Sequence, residues 1–159
     1  MSDEILIGEH RRKLDDRFRL LVPNEWMPSM SPDGENCILT KERVGSLSLW
    51  NSARWQKRLD DGVDLMKSKI NAGKLNERLS EVQLLGRLLS TRHKQVPVAE
   101  RGRIVIPDGF REFLGVEAGQ EVMIVGAAIC IEIWHPEKWI EHLGSQMPEF
   151  GTLFDNITG

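Results

Sequence analysis

The sequence predicts an α+β fold built twice within one chain. Three observations carry that expectation. Sliding the 159 residues against themselves by 84 positions, without a gap, lays Arg17 on Arg101, Arg19 on Arg103, Pro23 on Pro107, Trp50 on Trp134, Trp55 on Trp139 and Leu59 on Leu143. Each copy runs from strand-type alternation into a helical period, and the stretch between the copies has helical spacing throughout. A unit repeated only twice points to two half-domains packed on each other, because a solenoid needs at least three repeats for a stable core. The expected division is residues 1–90, the first repeat with connecting helices, and 91–159, the second repeat with a C-terminal helix and tail, the two packed as one pseudo-symmetric domain.

The elements follow in order. A short strand ("GEHRRKL", "KQVPV") leads to a charged loop, and an apolar strand ("RLLVP", "RIVIP") then ends at Pro23 or Pro107, which cannot continue a central ladder. The next element is a hairpin, "NCILTKERVGSLSLW" in one copy and "QEVMIVGAAICIEIW" in the other, so that "CILTK" falls on "EVMIV". Its turns are expected near Gly45 and Gly126, with alternation at Ile129, Ile131 and Ile133. A helix follows, with Asn51 or Ser52 as N-cap in the first copy and Pro136 at the first helical position in the second. Trp55 and Leu59, like Trp139, Ile140 and Leu143, share one helical face and read as core or subunit contacts rather than a stacking platform for bases. Between the copies, Leu75, Leu79, Val82, Leu85, Leu88 and Leu89 keep helical spacing. Gly73 divides this segment into two helices that pack either on their own sheet or on a neighbour. The final "GSQMPEFGTLFDNITG", short and acidic with Phe150 and Phe154, reads as a frayed terminus, with a small docking peptide as the alternative.

Charge is unevenly placed. The net charge is −3 and the isoelectric point about 5.8. Yet Arg11, Arg12, Lys13, Arg17 and Arg19 cluster around the first loop, and Arg92, Lys94, Arg101 and Arg103 around the second. From Glu132 onward five acids face the single base Lys138. Cys37 and Cys130 have no CxxC or histidine cluster about them and read as reduced strand residues. No segment is apolar enough for a signal peptide or a membrane span, so a cytoplasmic chain is expected. His10, His93, His135 and His142 are scattered, and no phosphate loop or nucleophile elbow follows a strand. Asp15, Asp16, Glu100 and Asp108 are not spaced as a metal loop. The expectation is therefore no enzyme, no cofactor, no metal and no small-molecule substrate.

The pattern Asp-x-x-x-Arg followed by an apolar strand and proline, in register with hairpins ending "LSLW" and "IEIW", resembles the MraZ family of bacterial transcriptional regulators, within the AbrB-like swapped-hairpin group. The resemblance spans nearly the whole chain. It implies a duplicated swapped-hairpin β-barrel formed by the two half-repeats, with flanking and connecting α-helices. It further implies ring-shaped homo-oligomers that bind repeated promoter elements and repress the division and cell-wall gene cluster, in the cytoplasm and at the nucleoid. This chain departs from the pattern twice: Ala99 stands where an aspartate is usual, with Glu100 beside it, and Phe18 stands where a glycine is usual. A positive φ costs Phe more than Gly, so the two loops are expected to differ in shape.

On this resemblance Arg19 and Arg103, with Arg17 and Arg101 two residues earlier, are the candidate contacts to double-stranded promoter DNA. Guanidinium groups reach phosphate oxygens or the two acceptors of guanine in the major groove. Arg11, Arg12 and Lys13 add phosphate contacts, which carry affinity without sequence information. Asp15 and Glu100 are expected to brace the loops. The competing expectation is an antitoxin-like or ring-scaffold interaction protein without specific DNA binding, its arginines solvated or in surface ion pairs.

Overall fold

The computed structural model describes residues 5–159; the first four residues of the opening segment read above lie outside them. Chain order is β1 (Leu6–Lys13), β2 (Arg19–Leu21), α1 (Met27–Met30), β3 (Cys37–Arg43), β4 (Ser46–Asn51), α2 (Ser52–Asn71), α3 (Leu79–Thr91), β5 (His93–Val96), β6 (Arg103–Val105), α4 (Phe110–Leu114), β7 (Glu121–Ala128), β8 (Ile131–Trp134), α5 (Pro136–Gln146) and α6 (Phe150–Thr158). The fold is α+β. One antiparallel sheet has the order β1-β7-β8-β4-β3-β5, and β2 and β6 form a separate two-stranded ribbon.

The order of the large sheet is unchanged when each strand is exchanged for its copy. The register says the same at residue level: Ser48 pairs with Glu132 in the large sheet, and Leu20 with Ile104 in the ribbon. Each of these pairs is a residue and its own equivalent 84 positions on, so one pseudo-twofold axis passes through both sheets. Strand pairing is exchanged between the copies at β1 with β7, β2 with β6, and β3 with β5.

The core lies between the ribbon and the large sheet. Leu20 and Ile104 from the ribbon meet Leu39, Leu47, Leu49, Val122, Ile124, Ile131 and Ile133 from the sheet, all at most 1% exposed. Pro23 and Pro107 stop the ribbon strands; their carbonyls accept from the N–H groups of Trp26 and Phe110, which bury equivalent aromatic rings. On the sheet's other face, Trp55 packs on the cluster of Ile38, Trp50 and Cys130, and Trp139 packs on Trp134 at 5.4 Å between centroids.

Helix signals act where the sequence places them. Asn51 caps α2 by accepting from the N–H of Arg54 at 3.0 Å, and Pro136 opens α5, with the His135 ring accepting from Glu137 N–H. Gly73, at φ +73°, turns the chain between α2 and α3. Neither α2, α3, α5 nor α6 buries a residue, and Leu65, Leu79, Leu84, Leu85 and Leu88 are exposed.

Four expectations need correction. Gly126 is not a turn residue but lies within β7, paired with Gly8; a Cβ there would come within 2.7 Å of the backbone of Leu6 and Ile7. The turn falls at Ile129 and Cys130, entered through Ala128 at φ +65°, so Ile129 is exposed and Cys130 is a turn residue, although both cysteines are buried and free. The gapless match of "CILTK" to "EVMIV" fails because the β3–β4 register shifts at Glu42, a β-bulge. Before the bulge Cys37 and Leu39 occupy the core positions that Val122 and Ile124 hold in the other copy, one residue out of step with the sequence match. Finally, the C-terminal segment forms helix α6.

Candidate nucleic-acid interface

Side-chain alternation gives the ribbon two unlike faces. Leu20 and Ile104 point into the core. Arg19, Leu21, Arg103 and Val105 point outward, with Arg19 opposite Val105 and Leu21 opposite Arg103. Arginines from the two copies thus share one surface with two exposed aliphatic side chains, a feature the loop motifs alone did not reveal; period-two alternation across each "RLL" and "RIV" was the available signal.

Each ribbon strand grows from a loop of the same backbone design. Asp15 N–H donates to the Arg19 carbonyl and Phe18 N–H to the Asp15 carbonyl; in the second copy Ala99 N–H donates to Arg103 and Gly102 N–H to Ala99. The carbonyl of Phe18 accepts from Ile106 N–H and that of Gly102 from Val22 N–H, stitching each loop to the other copy's strand.

The side chains make the loops different. The Asp15 carboxylate accepts from the backbone N–H groups of Arg17 and Arg19, both at 2.8 Å, and from Nε of the Arg19 guanidinium at 2.5 Å. Partial burial pushes the Asp15 pKa up. The backbone bonds from Arg19 and Arg17, and then the guanidinium, outweigh it and leave the carboxyl below its ordinary value. Ala99 offers no acceptor. Among the described residues no hydrogen bond or ion pair joins Glu100 to Arg101 or Arg103, and the side chains of Arg17, Arg101 and Arg103 have no partner.

Backbone shape differs as well. Phe18 adopts φ +58° and its equivalent Gly102 φ +80°, but Arg101 also turns left-handed at φ +66° whereas Arg17 does not. Left-handed backbone costs a non-glycine residue on the order of 1–2 kcal/mol. Phe18 offsets it by packing on the core and under the Arg111 guanidinium, 4.3 Å from the ring centroid. Arg111 is itself tethered to the Ile106 carbonyl and to Asp108. At the equivalent place Met27, the counterpart of Arg111, leaves no room on Gly102: a Cβ there would lie 3.0 Å from its Cγ and Sδ. The two loops therefore carry matched alternatives, Phe with Arg and Gly with Met.

The remaining basic residues lie on β1, which runs through Leu14 into the first loop. Arg11 and Lys13 are exposed on one face; Arg12 is half-buried on the other, its Nη1 donating to the Arg11 carbonyl. Arg11 also approaches Glu121 at 3.4 Å, an exposed pair of little energetic weight. Burial pushes the thiols of Cys37 and Cys130 up to about 12, which removes them as thiolate ligands or nucleophiles near neutral pH. No described helix is long and apolar enough to cross a membrane.

Comparison with known proteins bears on this surface. The model of the family described as "MraZ protein, putative antitoxin-like" matches residues 92–150. Beyond that segment, the chain is 25% identical over 138 residues to "Transcriptional regulator MraZ" of Clostridium acetobutylicum, covering 87% of each chain. It is 26% identical over 157 residues to the protein of that name from Lachnoclostridium phytofermentans, covering 94% of this chain and all of the relative. With the Dictyoglomus thermophilum protein of that name the identity is 29% over 137 residues, covering 86% and 84%. Over most of its length the chain is similar to proteins of the MraZ family. The stretch matched by the MraZ model holds the second loop, the one without an aspartate. The relatives extend the similarity well beyond that segment, to 94% of the chain for the Lachnoclostridium phytofermentans protein.

Proposed function

We propose that the chain is a sequence-specific DNA-binding transcriptional regulator, docking the outward face of the β2–β6 ribbon on double-stranded promoter DNA. The carrying observation is that Arg19 and Arg103, from separate copies of the repeat, emerge at diagonal corners of the same outward face of one two-stranded ribbon, Arg19 opposite Val105 and Arg103 opposite Leu21. The major groove admits such a ribbon, and Leu21 and Val105 supply apolar contact for thymine methyls. Arg17 and Arg101 at the loops, and Arg11, Arg12 and Lys13 on β1, add contacts to phosphate, with Asp15 and Glu100 as the acidic members of the loops. The regulator names of the relatives support the same reading.

Three finer features belong to the proposal. The exchange of strands between residues 1–90 and 91–159 supports a swapped-hairpin barrel in which both halves make one domain. The exposed apolar residues of α2–α3, together with Ile140, Phe150, Leu153, Phe154 and Ile157 of α5–α6, support a homo-oligomeric ring. The two arms differ in sequence and sit at opposite ends of a pseudo-symmetric body, the geometry of a heterologous contact. In such a ring repeated ribbons engage repeated promoter elements, and repression of the division and cell-wall cluster, in the cytoplasm and at the nucleoid, is the expected outcome.

Fluorescence anisotropy on duplex DNA from the gene's own upstream region, against scrambled duplex, tests the reading. Preferential binding that weakens with salt and is lost in the Arg19→Ala, Arg103→Ala double variant supports it. Equal, weak binding to both duplexes overturns it. The apolar face of α6 favours a second reading, an antitoxin-like or scaffold protein that grips a protein partner; that reading gains if oligomers form and DNA is ignored.

A further inference from the structure

We infer that the two loops divide the labour of recognition: Arg19, steered by Asp15, reads a base edge with two acceptors, as guanine presents, while Arg103 and Arg101 hold backbone phosphate. This rests on the DNA-binding reading above and deepens it. A single chain then reads an asymmetric element despite its pseudo-twofold fold, and Asp15 is a positioning residue for specificity.

Three observations carry the division. First, Asp15 engages Nε of Arg19, and among the described residues both Nη groups stay unbonded. That is the end of the fork that faces two parallel acceptors, held in a fixed plane by a carboxylate which itself accepts two backbone N–H groups. Base reading needs this kind of fixed geometry. Arg103 has no such partner and sweeps a wider volume, which suits a phosphate but not a base edge.

Second, the loops differ in local charge. Residues 15–19 hold two acids and two bases, whereas 99–103 hold one acid and two bases. The first loop is locally neutral and gains little from phosphate; the second keeps a net positive charge. Third, the backbone separates them. Arg101 and Gly102 are both left-handed, whereas in the first loop only Phe18 is, and its ring is pinned between the core and Arg111. The first loop is rigid at the residue before its arginine. The second is built on a glycine.

Lysine separates the two roles, because it keeps the charge and loses the planar fork. The experiment is anisotropy with native upstream and scrambled duplex at two salt concentrations, for the full-length wild type, Arg19→Lys, Arg103→Lys and Ala99→Asp. Arg19→Lys is expected to cut the native-to-scrambled affinity ratio by roughly 10-fold or more, the worth of a bidentate base contact. Arg103→Lys should keep that ratio within about twofold, and the salt slope should stay unchanged in both, because phosphate neutralisation is retained. Ala99→Asp, which supplies the missing brace and neutralises the second loop, should weaken binding to scrambled duplex. Both lysine variants sit on the outward face, and a thermal melt of each checks the fold. If the wild type does not distinguish the duplexes, the DNA-binding reading falls and this inference with it. If the wild type distinguishes them but the two lysine variants lose the ratio equally, or Arg103→Lys loses more, only the division of labour is overturned.

Discussion

Trp50 and Trp134 hold equivalent places under the two helical arms, and they are satisfied in different ways. Trp134 Nε1 donates directly to the Glu132 carboxylate at 2.9 Å. Trp50 Nε1 donates to the hydroxyl of Ser48, the counterpart of Glu132, which donates onward to Glu42. Glu42 is the bulge residue of β3 and also accepts from Thr40 and from Arg92. Thus one copy places a carboxylate two residues before the indole on the same strand, β8, and the other imports it by adding a residue to β3. The lesson is that duplication preserved the physical requirement, a buried indole N–H with an acceptor, rather than the residue that meets it.

The sharpest way to break this comparison is to remove the rings. Trp134, 2% exposed, is covered by Trp139 and His142, so Trp134→Ala is expected to lose about 3–5 kcal/mol of unfolding free energy in a urea titration. Trp50→Ala should lose less, because Trp50 is 8% exposed and so has less surface to lose from the core. Equal losses would mean that the two arms cover their tryptophans equally well.

Next comes the edge of the sheet. Gly126 lets β1 approach β7 closely, while the matching edge, β3 with β5, joins Lys41 to Arg92 through Lys41 N–H and the Arg92 carbonyl. Gly126→Ala places a Cβ against backbone that cannot yield, and a loss of about 1–3 kcal/mol is expected. Hydrogen exchange should show the loss concentrated in β1. A neutral result would remove close approach as the reason for glycine there.

A smaller effect is expected at the bulge. Glu42→Ala removes an acceptor from Thr40, Ser48 and Arg92 at a half-exposed site where water replaces part of it, so about 1 kcal/mol is expected in the same titration. If the loss matches that of Trp50→Ala, the bulge rather than the ring anchors the first arm.

These contrasts also show what the sequence could reveal. The repeat, the proline-terminated strands, the Asn51 and Pro136 helix starts and the Gly73 break were legible because each depends on a local backbone rule. The bulge at Glu42 was not, since one added residue changes strand parity while leaving composition intact, and a gapless match conceals it. Gly126 misled for a related reason. Glycine marks turns and close approaches alike, and only the partner strand tells them apart. At the candidate interface the loop arginines were legible as a motif. Their convergence on one ribbon face was not, because it depends on pairing between residues 84 positions apart. The Phe18–Arg111 and Gly102–Met27 alternatives lie across the same boundary.

The finest difference between the copies is in pH response. Trp139 donates its indole N–H to Glu9 at 3.0 Å, whereas Trp55 packs against His93, the counterpart of Glu9, with the rings tilted and 4.2 Å between centroids. Burial, and then the nearby Arg92 charge, push the His93 pKa below its ordinary value, so the fold favours the neutral ring. Above about pH 6.5 the ring is neutral in folded and unfolded chains alike, and its contribution to stability is complete. As pH falls from there toward the lower folded value, the unfolded chain takes up a proton that the folded one declines, and stability declines with it. A modest drop in the urea midpoint between about pH 7.5 and 5.5 is therefore expected, reduced in His93→Gln. Because the loss is assigned to the first arm, it should be accompanied by a change in Trp55 fluorescence and should leave Trp139 unaffected, a distinction that Trp55→Phe and Trp139→Phe variants would resolve. A pH response that survives in His93→Gln would move the titration to other groups and leave the two arms alike in this respect.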